Sequence, residues 1–116
     1  IEDYLVGKTI LEDMSGEGSI TIMGNYGADV SLFEIVSEYD AEQKLLELKD
    51  MFDMVIIEAP ALTTLNQSKE WIVVGDRVMG VFEANTTISN EMKDQILYLK
   101  SLEEKFIGWV LNKATK

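Results

Sequence analysis

Phe52-Asp53-Met54-Val55-Ile56-Ile57-Glu58-Ala59-Pro60-Ala61 is an apolar, β-branched run that ends in one acid and a proline. Helices cover both faces of a parallel sheet, so its strands read as near-continuous apolar stretches rather than alternating ones. The run therefore predicts a buried parallel strand. Ligands of open α/β sheets sit just beyond the carboxyl ends of the strands, which makes Glu58 a candidate for chemistry. Replacing Ile56 with Asp in such a strand should unfold the domain, because an unpaired buried charge costs several kcal/mol.

Three other runs share this character. Ile20 to Met23 reads as a short strand ending at Gly24, Val78 to Phe82 as a third, and Phe106 to Leu111 as the last. Tyr4 to Met14 carries a loose helical or turn pattern that Ser15-Gly16-Glu17-Gly18 ends. Ser31 followed by Glu34 has capping-box spacing. Asp40 is the expected cap of the next helix, whose buried face would be Leu45, Leu46 and Leu48. Lys69 to Val74 reads as a short helix on the sheet. Ser89 or Asn90 opens an amphipathic helix with Met92, Ile96, Leu99 and Leu102 at helical spacing. Met51, Phe52, Trp71, Met79, Phe82, Met92, Tyr98, Phe106 and Trp109 are most simply core or near-core packing. Strands alternating with helices predict crossovers and a mainly parallel sheet of four strands. The expected architecture is a single three-layer αβα domain over residues 1–116.

Composition narrows the chemistry. A chain of 116 residues, 47% hydrophobic, has material for one ordinary core. It holds no cysteine and no histidine, which removes disulfides, thiolate zinc sites and any Ser-His or Cys-His catalytic pair. A net charge of −11 with acids interspersed along the chain argues against nucleic acid and against a direct hold on anionic lipid. No apolar run approaches the roughly 20 residues needed to cross a bilayer. No direct membrane insertion is expected of this segment, which begins at Ile1 rather than Met and is expected to be cut from something longer.

The Phe52–Ala61 run resembles the "YDYVIIDTPP" segment of the bacterial tyrosine kinases and the related exopolysaccharide chain-length regulators, which are MinD/ParA-type P-loop ATPases. Other segments follow in family order. Ile1-Glu2-Asp3-Tyr4-Leu5-Val6-Gly7-Lys8-Thr9, with Leu11-Glu12-Asp13 following, is similar to "gLsdyLlGk…leD", Ser19 to Gly24 to "idvlpaG", and Ser31-Leu32-Phe33-Glu34-Ile35 to the "PsELL" helix start. Asp76 to Phe82 resembles "aDgvllVv", and Ile107-Gly108-Trp109-Val110-Leu111-Asn112 resembles "ilGvVlN".

The resemblance implies a P-loop NTPase-like fold and a cytoplasmic domain that follows a membrane-spanning part of an inner-membrane protein. ATP and Mg²⁺ are implied if a P-loop lies upstream. Gly7-Lys8-Thr9 does not supply one, because G-x-x-x-x-G-K-[ST] needs a glycine five residues before Gly7, after a strand, so that backbone amides cradle the phosphates, and Ile1 to Val6 contains no glycine. The resemblance places Glu58 where the family carries an aspartate that helps hold Mg²⁺ water ligands. The longer arm shifts the carboxylate by about one methylene against a near-octahedral ion, and a plain strand-end acid is the competing reading. Asn112 matches a position whose carboxamide contacts the adenine edge, with a turn residue as its alternative. Glu83 replaces a basic residue, Thr86 and Thr87 keep hydroxyls, and the tyrosine tail that family kinases phosphorylate is missing.

The expected function is a degenerate, catalytically silent nucleotide-binding-like domain in exopolysaccharide or lipopolysaccharide chain-length regulation. Its partners would be polysaccharide-assembly membrane proteins or further copies of itself. The alternative is part of an active ATPase or autophosphorylating tyrosine kinase whose Walker A half lies upstream. A receiver-like phosphoacceptor domain is a more distant third, since no N-terminal strand carries an acid pair.

Overall fold

Ser31 and Ser37 each precede an acid by three residues, and each starts a helix. The computed structural model describes residues 1–10, 18, 20–27 and 30–115, which fall into two compact units, Ile1–Ala59 and Pro60–Lys116.

In the first unit, α1 (Glu2–Leu5) is followed by α2 (Leu32–Ile35) and α3 (Glu38–Met51). The capping box at α2 is complete. Ser31 Oγ accepts from the Glu34 amide at 3.3 Å, and the Glu34 carboxylate accepts from the Ser31 amide at 3.1 Å. The cap of α3 is Ser37 and not Asp40. Its hydroxyl accepts from the Asp40 amide at 3.1 Å and donates to the Asp40 carboxylate at 2.7 Å, so the acid occupies the third helical position. The buried face of α3 is Ala41, Leu45 and Leu48. Those positions are spaced by four and three residues, and the helical period leaves Leu46 on another face, exposed. Tyr4 is buried, with its hydroxyl 2.9 Å from the Lys44 carbonyl and 3.1 Å from a Glu47 carboxylate oxygen. Lys44 pairs with Glu47 at 2.9 Å and lies over the Tyr4 ring. Together these contacts tie α1 to α3.

The expected strands at Ile20–Met23 and Met54–Ile57 are not found. Both stretches lie outside regular secondary structure, with Ile22 88% and Ile56 84% exposed. An apolar, β-branched run supplies strand propensity, but a strand also needs a ladder partner, and neither run has one among the described residues. Leu11 to Met14 of the first expected helical pattern, and Ser15 to Glu17 of the stretch expected to end it, lie outside the described residues.

The second unit begins with a 3₁₀ turn (Leu62–Thr64) running into α4 (Leu65–Val74), so this helix starts before Lys69. Next come β1 (Val78–Glu83), α5 (Asn90–Lys100), a 3₁₀ turn (Glu103–Lys105) and β2 (Phe106–Asn112). Ser89 caps α5 by accepting from the Met92 amide at 3.2 Å. Among the described residues the buried apolar side chains of this unit are Ile72, Val74 and Leu99, joined by two polar residues, Ser68 and Gln95. β1 and β2 pair in parallel, with α5 in the connection. The fold is thus α/β with a two-stranded parallel sheet among the described residues, in place of the four strands expected.

Register explains the shape of that sheet. Val78 faces Phe106 and Met79 faces Gly108, so Ile107 is an extra residue in β2, and Gly108 takes a φ of +135° that favours glycine. The extra residue changes the side-chain alternation, and Phe106 and Trp109 meet in an edge contact at 4.8 Å. The Trp109 ring lies over Gly80, where an added Cβ would fall 2.1 Å from Cζ3. Phe82 meets the indole at 4.7 Å between ring centres, tilted by 31°. Met79, Val81 and Val110 are exposed, which corrects the expectation that Met79 is core; Met51, at the end of α3, is exposed as well.

Candidate functional site

The carboxyl ends of parallel strands are where an α/β sheet offers groups to a ligand, and β1 and β2 end together at Glu83 and Asn112, which are register partners. The Ala84 amide donates to the Asn112 carbonyl at 2.8 Å, extending the ladder one residue past β1. Beyond it Asn85 takes a φ of 65°, a left-handed turn that asparagine tolerates. Thr86 and Thr87 follow, both exposed.

Asn112 turns its side chain back on its own backbone. Its Oδ1 accepts from the Lys113 amide at 2.8 Å, and Lys113 takes a φ of 54°. Part of the acceptor capacity of the carboxamide is thereby used, and the Nδ2 donors are left for other partners. The left-handed backbone at Lys113 accompanies a cross-strand pair, with Lys113 Nζ 2.9 Å from Glu83 Oε1. Both side chains are more than half exposed, so the pair contributes little to stability. It does set the local charge: the cation at this edge has a carboxylate beside it.

Glu58 stands elsewhere. It belongs to the first unit, exposed, on the stretch after α3 that has no regular secondary structure. Sequence reading thus pairs correctly Glu83 with the end of β1 and Asn112 with the end of β2, and places Glu58 at the end of a strand that is not formed. Among the described residues, no three carboxylates gather as a candidate metal cluster. In the first unit Glu58 offers a single exposed carboxylate, and in the second unit the Lys113 ammonium is paired with Glu83.

Two residues that sequence reasoning passed over hold the segment just after Glu58. Ser68 Oγ on α4 lies 2.9 Å from the Pro60 carbonyl and 3.1 Å from the Ala61 carbonyl, sharing its single proton between them. Gln95 Nε2 on α5 donates to the Leu62 carbonyl at 2.9 Å. Three consecutive carbonyls are therefore held by buried side chains, which fixes the backbone entering the second unit. The signal available in sequence was a glutamine inside the apolar stripe of α5, three residues after Met92 and four before Leu99.

In comparison with known proteins, no family model, no curated protein and no solved structure matches the chain. Among the described residues, no helix is long and apolar enough to cross a membrane.

Proposed function

We propose that this chain is a degenerate, catalytically silent relative of the nucleotide-binding domain of bacterial tyrosine kinases and exopolysaccharide chain-length regulators. In this reading it is a P-loop NTPase-like domain of the three-layer αβα class and acts as a regulatory or interaction module in exopolysaccharide or lipopolysaccharide assembly. Its place is the cytoplasmic side of an inner-membrane protein, and its partners are polysaccharide-assembly membrane proteins or further copies of itself.

The observation that carries the silent reading is the Glu83–Lys113 pair at the carboxyl edge of the sheet. A phosphate chain needs unpaired positive charge and a nest of amides. Here a carboxylate occupies the neighbourhood of the cation. The parallel β1–β2 pair with α5 between its strands, and the order of resembling segments, support the relationship.

Two measurements test it. Titration calorimetry with ATP and Mg²⁺ should give little or no heat; low-micromolar binding that Asn112→Ala abolishes would favour the active ATPase or kinase reading instead. In a cell that carries the protein, deleting this region should shift the length distribution of surface polysaccharide, whereas Glu58→Ala should leave it unchanged. An unaltered distribution after the deletion would refute the assignment to chain-length regulation.

A further inference from the structure

We draw no further inference here: the strongest candidate, the exposed apolar face of the two-stranded sheet formed by Met79, Val81 and Val110, carries nothing because nothing in the structure shows what covers it.

Discussion

Gly80→Ala is a one-methyl change that tests the packing of the sheet. The added carbon would fall 2.1 Å from Trp109 Cζ3, 2.2 Å from Cε3 and 3.1 Å from Cη2. Carbon atoms in contact prefer about 3.5–4.0 Å, so the indole must retreat by about 1.5 Å. Phe82 and Phe106 flank the ring at 4.7 and 4.8 Å, and the open route is outward, since Trp109 is 36% exposed. Retreat weakens two aromatic contacts, each worth about 0.5–1.5 kcal/mol beyond burial. Overpacking alone typically costs about 1–3 kcal/mol. A loss of about 2–4 kcal/mol is expected, read as a lower urea midpoint by far-UV circular dichroism. The double variant Gly80→Ala/Trp109→Ala isolates the clash. With the ring gone, the methyl should cost under about 0.5 kcal/mol, because Ala restricts the unfolded chain more than Gly. An equal penalty in both backgrounds would show that Trp109 does not rest on Gly80.

Ser68→Ala should destabilise the second unit by about 1–3 kcal/mol, since the Pro60 and Ala61 carbonyls lose their buried donor; Gln95→Leu should act similarly through Leu62, and chemical denaturation reads both. Ile56→Asp should shift thermal stability by less than about 0.5 kcal/mol, because the side chain is 84% exposed; collapse of the fold would instead place this run inside a sheet. Burial, with the neighbouring Glu47 carboxylate accepting from the phenol and repelling the phenolate, pushes the Tyr4 pKa up to about 12. The folded state therefore holds this proton more tightly than the unfolded one, whose pKa is about 10, so the contribution is whole below about pH 10 and lost toward pH 12. Tyr4→Phe should flatten that alkaline decline, as monitored by pH-dependent melting, whereas an unchanged profile would remove Tyr4 as its source.

Local chemistry was legible in the sequence where it depends on near neighbours. The Ser31 box needs only Glu34, the Ser89 cap only the following turn, and β1 and β2 stand out as apolar runs bounded by polar residues. Asp40 reads as a cap in sequence because an acid three residues after a serine can serve either end of the motif, and Ser37 takes the cap here. The runs at Ile20 and Met54 show the limit of composition. Apolar character records what a segment could bury, whereas pairing depends on residues far along the chain. Glu58 fails as a strand-end group for the same reason. The fit of Trp109 over Gly80 and the extra residue at Ile107 are relations between two strands, and neither strand announces them alone. Lys113 carries no signal in sequence, since its role arises only when Glu83 ends up across from Asn112.

The indole of Trp109, held between Phe82 and Phe106, gives the sheet its own optical signature. Tilted and edge-on rings around a chromophore fixed in one orientation create the asymmetric surroundings that near-ultraviolet circular dichroism records. The chain has two tryptophans, and Trp71 sits in α4. A Trp71→Phe variant would leave a single tryptophan whose emission wavelength reports on one ladder. Its emission would move to the red when the strands part, even if every helix stayed intact. Separation of the two strands could then be followed in real time without attaching any dye.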